Sequence, residues 1–301
     1  MISATTIVTA LPDGRIALRG LVNGRELRTL PAVDAARRNR LRPAALSSDG
    51  RLLATVGEDI ELWDVARGER LRALEWTPGP YWTIASTAFS ADGCRLASGL
   101  APAPELYHQH ECVETTLVWD TASGRQVHAL RGDGGDVNPP SVDSVAFSPD
   151  GLIVAAGGAN GSISLFDVAT GERVRRLAVG WKETNALAFS PDGRALLSNG
   201  GLLDLAGHAK PHELKEDADD IAAVAFAPNG AIVATGSRDG TARLWDRWSG
   251  RAVSAALVHG APVVAVAFLP DGSIVASQSD DGTVRMWHVA SGQELVDGRR
   301  S

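Results

Sequence analysis

Cysteine is nearly missing from this 301-residue chain, which holds only Cys94 and Cys112. Two thiols cannot build a disulfide framework, and their spacing is not the paired pattern of a zinc site, so reduced thiols are expected. Long apolar runs are missing as well. Nothing approaches the roughly 18 to 20 apolar residues that a spanning helix needs, and Met1-Ile2-Ser3-Ala4 lacks the charged start and apolar stretch of a signal peptide. The expectation is a cytoplasmic chain with no membrane contact. A basic excess is also absent, because 29 Lys and Arg stand against 36 Asp and Glu, a net charge of −7. Nucleic-acid binders usually carry a strongly basic field, so no nucleic-acid partner is expected.

What is present fits a folded chain in water: 44% hydrophobic and 22% charged residues. Length alone allows two ordinary domains or one large all-β domain. Self-similarity decides between them. A turn of the form small-Pro-Asp-Gly recurs as Leu11-Pro12-Asp13-Gly14, Ser48-Asp49-Gly50, Ala91-Asp92-Gly93, Pro149-Asp150-Gly151, Pro191-Asp192-Gly193, Pro228-Asn229-Gly230 and Pro270-Asp271-Gly272. Alternating apolar runs flank most of these turns, such as Val145-Ala146-Phe147 before and Ile153-Val154-Ala155 after, which is the pattern of a tight hairpin. Five repeats continue into a third apolar strand ending in Trp63-Asp64, Trp119-Asp120, Phe166-Asp167, Trp245-Asp246 or Trp287-His288. A second turn follows each, at Gly68, Gly124, Gly171, Gly250 or Gly292, and then a fourth strand such as 172–177.

These residues resemble the WD-repeat family, and the resemblance runs from about Ser3 to Val296. It implies an all-β fold in which four strands, named a to d from the axis outward, make one blade of a propeller. Seven turns imply a single propeller of seven four-stranded blades, at roughly 3–40, 41–82, 83–140, 141–182, 183–219, 220–261 and 262–298. The turns are spaced 36, 43, 58, 42, 37 and 42 residues apart, against roughly 40 to 45 per blade. Blades 1 and 5 lack the Trp-Asp pair and read Leu18-Arg19-Gly20 and Leu202-Leu203-Asp204-Leu205 instead. Seven complete blades are expected, but the turn at Asp13-Gly14 also fits the b-to-c turn of a blade without its innermost strand.

The same resemblance implies a structural hydrogen-bond network, matched in blade 7 by His259, Ser277, Asp281 and Trp287. A Ser, a His and an Asp could also form a nucleophilic triad, but each of them fits a structural position of the family. Blade 6 keeps Thr235, Asp239 and Trp245 and has Asp217 where the His would fall, so its network should be incomplete. His108, His110 and Cys112 are metal-ligand types, yet their spacing fits no standard zinc pattern, and a polar loop without metal is expected. Gly132-Asp133-Gly134-Gly135 is followed by Asp136 and not by a Lys and a helix start, so it is no phosphate loop. No catalytic residue, cofactor or metal is expected.

In a four-stranded blade the a-to-b and c-to-d turns lie on one rim, and the b-to-c and d-to-a connections on the other. The first rim repeats short turns such as Ser291-Gly292 and reads as structural. The second holds the insertion Ala101 to Thr115 with His108 and His110, the basic run Arg37, Arg38, Arg40 and Arg42, and the acidic run Glu216, Asp217, Asp219 and Asp220. It also holds Trp76, Tyr81, Trp82 and Trp181, none of them in a Trp-Asp pair. Tryptophan and tyrosine are enriched in interface hot spots. The function implied is a non-catalytic scaffold or regulatory subunit that takes a protein or peptide on this loop-rich rim. An enzyme on a propeller scaffold and a constitutive subunit of a larger complex are the alternatives.

Overall fold

The structure is a computed structural model that describes residues 6–10, 16–20, 26–30, 45–57, 59–74, 82–102, 115–131, 141–158, 161–178, 184–199, 201–207, 214 and 220–295. Its described residues form seven antiparallel sheets and no helix. The first sheet is β1 (Thr6–Ala10), β2 (Ile16–Gly20) and β3 (Glu26–Leu30). The second is β4 (Ala45–Leu46), β5 (Leu52–Val56), β6 (Ile60–Asp64) and β7 (Glu69–Ala73), and the third β8 (Trp82–Phe89), β9 (Arg95–Pro102), β10 (Thr115–Asp120) and β11 (Gln126–Arg131). The fourth holds β12 (Val142–Phe147), β13 (Ile153–Gly158), β14 (Ser162–Asp167) and β15 (Arg173–Ala178), and the fifth β16 (Leu187–Phe189), β17 (Ala195–Ser198) and β18 (Gly201–Asp204). The sixth is β19 (Ile221–Phe226), β20 (Ile232–Ser237), β21 (Thr241–Asp246) and β22 (Leu257–Val258), and the last β23 (Val263–Phe268), β24 (Ile274–Ser279) and β25 (Val284–His288). Strands pair in chain order within every sheet, which is the meander of a propeller blade. The fold is a seven-bladed all-β propeller.

Two compact units are distinguished, one of residues 31–187 and one of residues 1–30 with 188–301. In each, the core lies between consecutive sheets. Residue alternation along strand c explains how: successive side chains point to opposite faces, so sheets three and six each contribute to two clusters. Trp119 packs with Ile60, Leu62 and Leu96 of sheets two and three, while its neighbour Val118 packs with Val142, Val154 and Phe166 of sheets three and four. In the other unit Trp245 joins Ala195, Leu197 and Val233, while Leu244 joins Val263, Val275 and Trp287.

The a-to-b turns share one device. The hydroxyls of Ser47, Ser90, Ser148 and Ser190 donate to Asp49, Asp92, Asp150 and Asp192 at 2.5–2.6 Å. Each serine oxygen then accepts the N–H of the residue that opens strand b, at 2.9 Å for Leu52 and Ile153. These hydrogen bonds, the serine's first, hold the Asp49, Asp92 and Asp150 carboxyls below the usual carboxylate range. Partial burial works against this at Asp192, yet bonds from Ser190, the Arg194 N–H and Arg247 bring it down to about 2. The glycine next to the acid adopts a left-handed backbone, as Gly193 does at φ 68°.

Pairing register identifies the described strands of blade 1. In blades 2, 3 and 4 the c-to-d pairing has a bulge just before the Trp or Phe position, between Leu62 and Trp63, Val118 and Trp119, and Leu165 and Phe166. The β2–β3 pair has the same bulge between Leu18 and Arg19. The β1–β2 pair runs without a break, as b-to-c pairs do. The three described strands of blade 1 are therefore b, c and d, with Arg19-Gly20 at the Trp-Asp positions; Asp13-Gly14 lie outside the described residues. Blade 1 is not complete among the described residues. In blade 7 the fourth strand is reduced to a bridge between Trp287 and Glu294, with the Leu295 N–H donating to the Met286 carbonyl at 2.7 Å.

Candidate functional site

Three of the four residues expected to form the blade 7 network meet. Ser277 sits fully buried on strand b, where its Oγ accepts the Trp287 indole N–H at 2.7 Å and lies 2.7 Å from His259 Nε2. The His259 and Trp287 rings contact edge to face with centroids 6.0 Å apart. Asp281 does not join them. Its carboxylate accepts from the Ser279 hydroxyl and from the Thr283 N–H at 2.8 Å, and these bonds hold it at about 2. The physical reason is local, because an acid inside a tight turn reaches the donors two residues away first. His259 Nδ1 consequently has no hydrogen-bond partner although the residue is only 6% exposed. With no carboxylate to orient the imidazole, this Ser–His pair is not the arrangement of a nucleophilic triad.

Burial, followed by the charge of Arg285, pushes the His259 imidazole below its ordinary 6.5. The unfolded chain takes up a proton at about 6.5 that the folded chain resists. Stability from this group is thus full above that pH and is lost as pH falls through 6.5 toward the folded value. His259→Ala is expected to cost about 1–3 kcal/mol, through Ser277 left half-paired. The variant should also flatten the decline in melting temperature on going from about pH 8 to about pH 5, which thermal unfolding across that range checks.

The Trp–hydroxyl bond recurs in blades 2 and 6. Trp63 donates to Thr55 and Trp245 to Thr235, each at 2.9 Å. Blade 6 therefore keeps this part of its network, while Asp217 lies outside the described residues. In blade 4, Phe166 pairs across from Val154, which places Ala156 where the hydroxyl would stand, so donor and acceptor are lost together.

The acid of the Trp-Asp pair has a separate task. Asp120, Asp167 and Asp246 accept the N–H of the residue three further on, each at 2.8 Å, and fasten the c-to-d turn. Among the described residues, no group of three or more His, Cys, Asp or Glu side chains could hold a metal ion.

Of the residues selected for partner binding, Trp82 is described. It is the first residue of strand a in β8 and not part of a connection, and it pairs with Pro102, where the long insertion leaves the sheet. It is half-buried against the cluster of sheets two and three. Trp76, Tyr81, Trp181, Arg37, Arg38, Arg40, His108 and His110 lie outside the described residues. An aromatic that sequence reasoning missed is Trp248, in the c-to-d turn of blade 6, which is 65% exposed. The signal for it was present in the alignment of the five turns with one another, where its counterparts are Ala66, Ala122, Ala169 and Ala290.

The "WD domain, G-beta repeat" family matches residues 208–246 and 254–288, and the "Anaphase-promoting complex subunit 4 WD40 domain" family matches 113–192. Among curated proteins, the WD repeat-containing protein SL1-17 of Schistosoma mansoni is 30% identical over 154 residues, 47% of this chain and 46% of that protein. A guanine nucleotide-binding protein subunit beta of Arabidopsis thaliana is 29% identical over 222 residues, 66% of this chain and 54% of its own. Apoptotic protease-activating factor 1 of Rattus norvegicus is 28% identical over 170 residues, 52% of this chain and 12% of the relative. The chain spans about half the length of the first two. With the blade pairing, the Trp–hydroxyl bonds and the Asp-fastened turns, these matches place the chain in the WD-repeat family.

Proposed function

We propose that this chain is a non-catalytic interaction scaffold or regulatory subunit that holds a protein or peptide partner on its d-to-a and b-to-c connections. The observation that carries the reading is where the reactive groups go. The carboxylates of Asp49, Asp92, Asp150 and Asp192 fasten a-to-b turns, those of Asp120, Asp167 and Asp246 fasten c-to-d turns, and the buried Ser277–His259 pair is locked to an indole. Groups spent on structure are not free to move protons on a substrate. Resemblance to WD-repeat proteins and to G-protein beta subunits supports a role in protein interaction, although fold alone does not fix function.

The connections carry the partner-specific chemistry in this reading, with Trp76, Tyr81, Trp82 and Trp181 as apolar anchors and Arg37, Arg38, Arg40, His108 and His110 as polar contacts. Trp82 stands at the foot of the insertion, opposite Pro102, which supports a role at that end of blade 3. Trp82→Ala combined with Trp181→Ala is expected to weaken binding of the partner at least about tenfold. Calorimetric titration of the recovered partner, performed well below the melting point, tests this. Because Trp82 is half-buried, a drop in melting temperature is expected as well, and lost stability with wild-type affinity would defeat the proposal.

A further inference from the structure

Blade 4 gives up side-chain volume at three adjoining positions. Pairing register aligns Phe166 with Trp63, Trp119, Trp245 and Trp287, and Ala156 with Thr55, Ser98, Thr235 and Ser277. Directly across from Ala156, on strand c, stands Ser164, where the other four blades place Glu61, Leu117, Arg243 or Arg285. All three residues of blade 4 are smaller than their counterparts. Residues 164 and 166 leave the strand on the same face, and Phe166 packs there against Val118 and Leu130 of sheet three. The lost volume therefore collects between sheets three and four.

A cavity of about 10 Å³ lies at this place, lined by Thr116, Leu130, Ala156, Ser162, Ser164 and Phe166, none of them more than 6% exposed. That is room for one water and for nothing larger. Cavities stay dry where their walls are apolar, and these walls are not. Thr116 Oγ1, on the sheet-three side, is buried and has no hydrogen-bond partner among the described residues. Ser162 and Ser164 bring two further hydroxyls from sheet four.

A buried hydroxyl without a partner carries its full desolvation cost, and protein interiors meet such groups with another polar group or an ordered water. No side chain that could serve Thr116 reaches it, while the space beside it has the size of a water and a second hydroxyl on the facing sheet. We propose that this cavity binds one internal water that bridges Thr116 Oγ1 of blade 3 to Ser164 Oγ of blade 4. In blades 2 and 6 an indole N–H serves the buried hydroxyl of the same blade, Thr55 or Thr235. In blade 4 the indole and its acceptor are both gone, and the bound water takes over part of their space and ties two sheets together instead of bracing one.

The test uses the intact chain. A high-resolution crystal structure should show one ordered water within about 3.2 Å of both Thr116 Oγ1 and Ser164 Oγ. Thr116→Val keeps the shape of the side chain and removes an anchor of that water, so its melting temperature should fall below wild type. Without the water the sign reverses, because the same change would then only delete a buried, unsatisfied hydroxyl. Thr184→Val supplies the comparison: its hydroxyl is equally buried and unpartnered but does not line the cavity, and its loss should leave the melting temperature unchanged or raised. An empty cavity in the crystal, a Thr116→Val melting temperature at or above wild type, or an equal fall in both variants would each overturn the proposal.

Discussion

Trp245→Ala is expected to lose about 3–5 kcal/mol of stability. The indole is 1% exposed and fills the space between sheets five and six against Ala195, Leu197, Leu202 and Val233. Its removal leaves a cavity and also leaves the buried Thr235 hydroxyl without its donor. Trp245→Phe separates these effects. Most of the volume stays, and a smaller loss of about 1–2 kcal/mol reports the broken hydrogen bond. Blade 4 has already made the matching pair of changes, with Phe166 at the indole position and Ala156 at the hydroxyl position. Trp245→Phe combined with Thr235→Ala should therefore cost less than the sum of the two single changes. Urea denaturation of the three variants measures the coupling, and strictly additive losses would show that indole and hydroxyl do not act as a unit.

Gly158→Ala is the second large effect, at about 3 kcal/mol or more. Gly158 ends β13 and pairs with Val142 beside a bulge. A Cβ there would overlap the Ser141 carbonyl oxygen and lie 2.7 Å from its carbon, and 3.3 Å from the Val142 Cα. These are backbone atoms, which cannot step aside as a side-chain tip can. Gly282→Ala is the control. Nothing lies within 4 Å of its Cβ, and its φ of +85° adds only left-handed strain of about 1–2 kcal/mol. Thermal unfolding of the two variants should rank them in that order; an equal loss would mean that the close approach of the strands contributes nothing.

The blade repeat was legible because its turn residues and apolar alternation are set locally. What a turn cannot reveal is which two strands it joins. Leu11-Pro12-Asp13-Gly14 carries the same signal as the a-to-b turns, and only the bulge between Leu18 and Arg19 identifies β2 and β3 as strands c and d. The blade 7 network was legible for Ser277, Trp287 and His259, whose positions follow from strand register. Asp281 was misjudged because its choice of partner depends on donors inside its own turn, Ser279 and Thr283. Trp248 went unnoticed for the opposite reason: its turn matches the repeat so well that only its four alanine counterparts set it apart. Trp82 was assigned to a connection because strand ends are not marked in sequence, and its half-burial follows from one more step of β8.

The account rests on this chain working by holding another protein. The most direct measurement is the mass and composition of the chain isolated under native conditions from its own cells, by light scattering on a sizing column with mass spectrometry of the peak. The prediction is a complex containing a second protein at fixed stoichiometry, released by Trp82→Ala with Trp181→Ala. A chain that runs alone at the mass of one 31.5 kDa copy and turns over a small substrate would contradict it.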